Sequence, residues 1–147
     1  MTLICDFFPS WFSVCCASII STILFLLGGV DIPLIWLFIF VVIDYLSGSW
    51  YAIKSGNWSS SVGGKGIIKK IIIFLMVVIA NGIDQSTGIN YIRQAVIIAY
   101  LINESGSILE NIENLGYGSI IPSVLRKGLK AINQKNNLSD NLSDVEK

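Results

Sequence analysis

Long apolar blocks separated by short polar breaks dominate the chain. The blocks cover residues 11–30, 33–51 and 67–83, and residues 7–30 contain no charged side chain. An α-helix needs about 17–25 mostly apolar residues to cross a hydrocarbon core of about 30 Å. Each block meets that length, so the pattern predicts three membrane-crossing helices.

A fourth segment, residues 91–111, combines an apolar and a polar face. Residues 95–102 are uniformly apolar, and polar side chains then recur every three to four residues, which predicts that they share one helix face. These side chains are Asn103, Glu104, Ser107, Glu110 and Asn111. The segment either crosses the membrane with its polar face inward, giving about four crossings, or runs out past the membrane surface as an amphipathic helix, leaving three.

Turn residues and aromatic residues mark the ends of these segments. A glycine pair at residues 28–29 ends the first segment, and Pro33 suits the first turn of the second. Trp36 and Trp50, near the two ends of the second segment, are typical of the aromatic belts at a membrane surface. A polar loop is predicted over residues 54–66.

Composition indicates an integral membrane protein. The chain is 53% hydrophobic and 14% charged, whereas a soluble domain carries about 25% charged residues. The first 18 residues contain no Lys or Arg, so we expect a retained first helix and not a cleaved signal peptide. The formal net charge is zero, which leaves no basic field for nucleic acid. We predict an all-α, multi-pass, oligomeric membrane protein without a nucleic-acid partner.

Basic residues are concentrated on one predicted side of the membrane. Lys and Arg favour short cytoplasmic loops, and their side chains contact anionic lipid headgroups. The predicted cytoplasmic basic loop contains Lys54, Lys65, Lys69 and Lys70. The region after residue 118 is also basic. We therefore predict a transmembrane domain over residues 1–118, a basic and then polar, partly disordered cytoplasmic tail over residues 119–147, and both termini in the cytoplasm.

Side chains that carry chemistry are scarce in this sequence. It has no histidine, and its three cysteines do not have zinc-ligand spacing. Glu104 and Glu110 lie about 120° apart on a helix, so they do not form a facing catalytic pair. We therefore expect no enzymatic activity, no metal and no cofactor.

Asp44 is a carboxylate inside the otherwise apolar second segment. A carboxylate at mid-membrane costs on the order of 2.5–3.5 kcal/mol on insertion scales. Ser47 and Gly48 lie on the same helix face, and small or polar residues favour helix contacts in membranes. The predicted helix-contact or pore-face positions are Asp44, Ser47, Gly48, Asn103, Glu104, Ser107, Glu110 and Asn111.

Three motifs in order resemble a known family. They are Asp-Tyr-Leu-Ser-Gly at residues 44–48, Ser-Ser-Ser-Val-Gly-Gly-Lys-Gly-Ile-Ile-Lys-Lys at residues 59–70, and Asn-Glu-Ser-Gly-Ser-Ile-Leu-Glu-Asn at residues 103–111. Together they resemble the toxin-secretion/phage-lysis holin family. The resemblance implies a homo-oligomer in the bacterial inner membrane that opens a lesion. Its functional partner would be a cell-wall hydrolase or a secreted toxin that leaves the cytoplasm.

A second hypothesis belongs to a different class of protein. The chain is then a small membrane transporter or ion-channel subunit, in which Asp44 and Glu104 couple ions. A channel with single-file ion coordination needs a selectivity filter, and the sequence contains no evident ring of that kind. Expression in a bacterium separates the hypotheses, because a transporter changes ion balance without releasing macromolecules.

Overall fold

The computed structural model describes residues 10–128 and residue 131. Every regular element in these residues is helical: α1 spans Ser10–Leu26, α2 Ile32–Lys54, α3 Ser60–Thr87 and α4 Ile92–Ile112. A π-helical turn, Glu113–Tyr117, and a 3-10 turn, Gly118–Ile120, follow α4. Most of the predicted disordered tail lies outside the described residues.

Glycines in the left-handed region end α1 and α2. Gly28 has a φ of 83°, and its N–H donates to Phe25 O while that of Gly29 donates to Leu24 O. This pair of hydrogen bonds is a Schellman motif. It ends α1 at Leu26, so the helix is shorter than the predicted 11–30. Gly56 ends α2 in the same way, at Lys54.

The start of α3 differs from the sequence prediction. The segment from Ser60 onward is helical, although residues 54–66 were predicted to be a polar loop. Gly63 and Gly66 favour a loop by intrinsic propensity. In the structure two aromatic rings pack closely on these glycines. A Cβ at Gly63 would lie 3.0 Å from the Trp58 ring, and one at Gly66 would lie 3.2 Å from the Tyr45 ring. Tertiary packing therefore overrides local propensity here.

Helices α2, α3 and α4 form a bundle around a small apolar core. Leu37, Val77 and Ile97, one from each helix, have no more than 2% of their surface exposed. The start of α4 lies beside the start of α2, and its end lies beside the middle of α2, so these two helices run in the same direction. Helix α3 runs antiparallel to both. Helix α1 buries no described side chain and joins the bundle at its C-terminal end.

Two described helices are long and apolar enough to cross a membrane. They are α2 over its whole length, Ile32–Lys54, and α3 from Gly63 to Thr87. The apolar part of α1, Ser13–Leu26, is shorter, and α4 is more polar. The outward faces of α2 and α3 carry large exposed apolar side chains, as expected of helices that contact lipid. The predicted number of four crossings stays a prediction.

Candidate functional site

An ionic cluster formed by Lys70, Asp44 and Glu104 lies inside the bundle, at one end of its apolar core. Lys70 Nζ of α3 donates to Asp44 Oδ2 of α2 at 2.5 Å and also to Glu104 Oε2 of α4. The side chains of Lys70, Asp44 and Glu104 are 12%, 10% and 1% exposed. One ammonium group therefore joins three helices inside the protein.

The cluster lies on the same stripes as the apolar core. Positions spaced alternately three and four residues apart fall on one side of a helix. On α2 the stripe consists of Leu34, Leu37, Val41 and Asp44; on α3 of Lys70, Ile73, Val77 and Ala80; and on α4 of Arg93, Ile97, Tyr100 and Glu104. The charged groups therefore face each other because each occupies the next core position after the apolar ones.

Asn111 extends the cluster by hydrogen bonds to α2. Its Nδ2 donates to Asp44 Oδ1 and to Ser47 Oγ, each at 3.0 Å. Gly48 leaves room for this amide, since a Cβ there would lie 3.3 Å from Asn111 Nδ2. Asp44 thus has both carboxylate oxygens bonded, one to a cation and the other to an amide.

The charges of the ionic cluster are compensated only in part. Two carboxylates share one ammonium group, and Glu104 Oε1 is buried without a hydrogen-bond partner in the described residues. Removing one partner of a buried ion pair is strongly destabilising because it leaves an uncompensated charge. We therefore expect the packing of α2, α3 and α4 at this point to depend on Lys70.

A cavity of about 240 Å³, lined by both polar and apolar side chains, lies beside the cluster, between α2, the start of α3 and the end of α4. Asp44, Lys70, Ser107 and Asn111 contribute to its wall. Within residues 10–128, no group of three His, Cys, Asp or Glu side chains has an arrangement that could hold a metal ion.

A second polar cluster, around Arg93, lies at the opposite end of the bundle core. Arg93 donates from Nη1 to Asp31 Oδ2 and from Nε to Leu27 O, both at 2.6 Å. The hydrogen bond from Arg93 lowers the pKa of the Asp31 carboxyl below its usual 3.8; burial opposes this shift, and the Leu34 N–H, the charge of Arg93 and the Gln94 amide add to it. This cluster ties the α1–α2 connection to α4.

Asp84 fixes the start of α4 from the neighbouring helix. It accepts hydrogen bonds from the backbone N–H groups of Ile92 at 3.1 Å and Arg93 at 2.9 Å. A carboxylate at a helix N-terminus satisfies free N–H groups and interacts favourably with the helix dipole. Nearby, Asn81 Nδ2 donates to Leu26 O at 2.9 Å, so α3 also holds the end of α1.

The structure divides the five polar residues of α4 into two adjacent faces. Glu104, Ser107 and Asn111 lie toward the bundle, whereas Asn103 and Glu110 are exposed. At about 100° per residue, Asn103 lies a quarter of a turn from Glu104. The polar residues predicted to share one face are therefore divided between an inner face that binds α2 and α3 and an outer face that is exposed.

The four lysines of the predicted basic loop lie on helices. Lys54 is the last residue of α2, and its Nζ donates to Leu115 O at 2.8 Å. Lys65 and Lys69 are exposed on α3, while Lys70 is buried in the ionic cluster. Sequence reasoning missed Lys70 as the partner of Asp44. The signal was its spacing, three and seven residues before the core positions Ile73 and Val77.

Comparisons with known proteins identify relatives of this chain. The profile of the bacteriophage holin family matches residues 21–134. An uncharacterised protein of Clostridium perfringens is 37% identical over 113 residues, which cover 76% of this chain and 82% of the relative. An uncharacterised protein of Listeria monocytogenes is 45% identical over 103 residues, covering 69% and 72%. A probable holin of Bacillus phage phi105 is 32% identical over 96 residues, covering 65% and 70%. No solved structure matches the chain significantly.

Proposed function

This chain belongs to the bacteriophage holin family, and from that premise we propose that it is a holin that assembles in the bacterial inner membrane and opens a lesion. A cell-wall hydrolase, or a toxin, would leave the cytoplasm through that lesion. Family membership carries this proposal, and two helices of membrane-crossing length support it.

The distribution of polar groups supports accumulation in the membrane before assembly. The ionic cluster places its charges inside the bundle, and the outward surfaces of α2 and α3 are largely apolar. Polar groups that are paired inside a helical bundle do not have to be solvated by lipid, which cannot hydrogen-bond them. A single copy can therefore remain inserted without opening a path for water.

The parallel packing of α2 and α4 supports a crossing by α4. Arg93 binds Asp31 at the start of both helices, and Asn111 binds Asp44 further along. Because α4 contacts α2 along its length, a membrane crossed by α2 would also enclose α4. With 21 residues it is about 30 Å long, close to the hydrocarbon thickness. We propose four crossings, with both termini in the cytoplasm.

The ionic cluster also supports a route to an opened state. Separation of α4 from α2 would expose Lys70, Asp44 and Asn111, which already border a cavity. Charged groups in membrane segments favour contact with water or with one another. In an assembly of many copies, these inner faces would line the lesion after the helices rearrange.

The alternative of an ion-coupled transporter is less consistent with the ionic cluster. Asp44 and Glu104 were its candidate coupling carboxylates, and both bind Lys70. A tethered ammonium competes with any small cation for the same oxygens. We therefore favour the holin.

The test is co-expression with a cell-wall hydrolase that has no export signal of its own. We expect abrupt lysis only when both proteins are present, with a cytoplasmic marker protein in the medium. The hydrolase alone and the chain alone are the controls. A change in ion balance without passage of the hydrolase would favour the transporter and contradict the proposal.

A further inference from the structure

The outward side of α4 carries a stripe of small and polar residues that the bundle does not use. We call it the outer stripe; it consists of Ala95, Ala99, Asn103 and Gly106. Their spacing of three and four residues places them within about 80° around the helix. All are exposed except Gly106, which is half-buried.

Asn103 is the unusual member of this stripe. In the part of the chain that the structure describes, its side chain has no hydrogen-bond partner, although Glu104, the next residue, is fully buried and paired with Lys70. Asn103 lies about 16 Å from the first residue of α4 and about 14 Å from the last. In the proposed topology its amide is therefore near the middle of the bilayer, where lipid tails offer it no hydrogen bond.

The bundle cannot satisfy Asn103 by rotation of α4. Arg93, Glu104 and Asn111 anchor the opposite side of the helix at its start, middle and end. Any rotation that brought Asn103 inward would break these contacts. The described part of the chain therefore supplies no partner for this amide, and a second copy is a source of one.

We propose that the outer stripe is the contact surface for a second copy of this chain, with the two Asn103 amides hydrogen-bonded to each other. An amide is self-complementary, because it carries both donors and an acceptor. Copies inserted with the same topology present parallel helices, so equal residue numbers meet across a two-fold axis. Ala99 and Gly106 allow the backbones to approach closely, as small residues do in membrane helix pairs.

This inference rests on the proposed function, because assembly is what opens a lesion, and it identifies the surface that starts the assembly. A single polar residue in an apolar helix contact also fixes register and the number of partners. Lipid and water are the other possible occupants of this surface, and the two experiments below separate them from a second copy.

The first experiment is disulfide cross-linking in membranes, in a background where the native cysteines are replaced by serine. Ala99→Cys should form a disulfide dimer, because a disulfide requires Cβ atoms about 3.5–4.5 Å apart. Ile71→Cys, on the 62% exposed lipid-facing side of α3, is the matched control and should stay monomeric. Equal dimer yields at both positions, or none at Ala99→Cys, would overturn the proposal.

The second experiment removes the amide. Asn103→Leu, added to Ala99→Cys, should lower the dimer association constant about tenfold, the effect of losing an interhelical hydrogen bond. Asn103→Gln should retain most of the association, and Asn90→Leu, at an exposed position outside the helices, should have no effect. Unchanged association in Asn103→Leu would contradict the inference. So would rapid reaction of Asn103→Cys with a hydrophilic thiol reagent without dimer formation, which would indicate a water-lined wall.

Failure of the function and failure of the surface give different results. If Ala99→Cys cross-links but the hydrolase never passes, the surface stands and the lesion proposal falls. If lysis occurs at the normal time while Asn103→Leu and the parent are indistinguishable in association, the lesion proposal stands and the surface is elsewhere.

Discussion

Asp44 and Glu104, on two different helices, accept hydrogen bonds from the same ammonium group, Lys70 Nζ. The two carboxylates would repel each other without that cation. The approach of Asp44 to Glu104 therefore depends on α3, which supplies the cation between them.

Loss of the shared cation should destabilise the protein more than loss of its neighbour. Lys70→Met leaves two buried carboxylates uncompensated, so we expect a free energy of unfolding lower by about 3–5 kcal/mol. Lys69→Met, at the exposed adjacent position, is the control and should change it little. Denaturant unfolding of the detergent-solubilised protein measures both. Similar losses in the two variants would show that the cluster does not stabilise the bundle.

At Asp44, hydrogen bonding and volume can be separated. Asp44→Asn keeps one side-chain oxygen for Lys70, and Asn111 can still donate to Ser47 Oγ, so we expect normal lesion timing or a modest shift. Asp44→Leu removes both side-chain acceptors and leaves Lys70 with Glu104 alone and Asn111 with Ser47, so lysis should be strongly delayed or lost at equal membrane levels. Lysis curves report the timing of lesion formation, and immunoblots report the amount of each variant in the membrane. Normal timing for both variants would remove Asp44 from the mechanism.

The topology predicts which residues reach each side of the membrane. In a background without native cysteines, Ser123→Cys should resist an impermeant thiol reagent in intact cells and react after permeabilisation. Asn90→Cys, in the exposed connection between α3 and α4, should react in intact cells. Ready labelling of Ser123→Cys from outside would exclude the arrangement with four crossings.

The contact between Asp31 and Arg93 should weaken in acid. The folded pKa of Asp31 is lowered below 3.8, so its contribution to stability is present above that pH and is lost as pH falls through the folded pKa. The difference in unfolding temperature between the parent and Asp31→Asn should therefore be largest above about pH 4 and shrink below it. A difference independent of pH between 2 and about 7 would contradict this.

Two adjacent glycines allow backbone strain to be separated from a steric clash. Gly28 and Gly29 both have positive φ, so alanine at either should cost about 1–2 kcal/mol of stability. At Gly28 a Cβ would also lie 2.5 Å from Asn81 Oδ1 and 2.7 Å from Arg93 Nε, whereas nothing lies within 4 Å at Gly29. Gly28→Ala should therefore lower the unfolding temperature more than Gly29→Ala. Equal losses of unfolding temperature in the two variants would indicate that backbone strain alone destabilises Gly28→Ala.

Much of the helical layout can be read from the sequence, because long apolar runs and glycine breaks are local signals. The observed α4, Ile92–Ile112, differs from the predicted 91–111 by one residue at each end. The start of α3 could not be read in this way, since its glycines favour a loop and pack closely against Tyr45 and Trp58 in the structure. Tyr45 lies on another helix, so no local pattern shows that contact.

The acids of the candidate site can be predicted from the sequence, but their cation cannot. Asp44 and Glu104 stand out as acids among apolar neighbours, but Lys70 follows Lys69 in a basic stretch and resembles a loop residue. Only the register of the core stripe distinguishes the two lysines. The cluster around Arg93 also joins α4 to Leu27 and Asp31 in the α1–α2 connection, which no local pattern brings together.

The polarity of α4 has a consequence for biosynthesis. Helices enter the bilayer in the order in which the ribosome makes them, and an acid such as Glu104 lowers the tendency of a segment to partition into lipid. By the time α4 emerges, α2 and α3 have already been made, and they carry Lys70 and Asp44, the partners of the polar residues of α4. In the proposed topology with four crossings, the integration of α4 would therefore depend on the earlier helices more than on its own hydrophobicity.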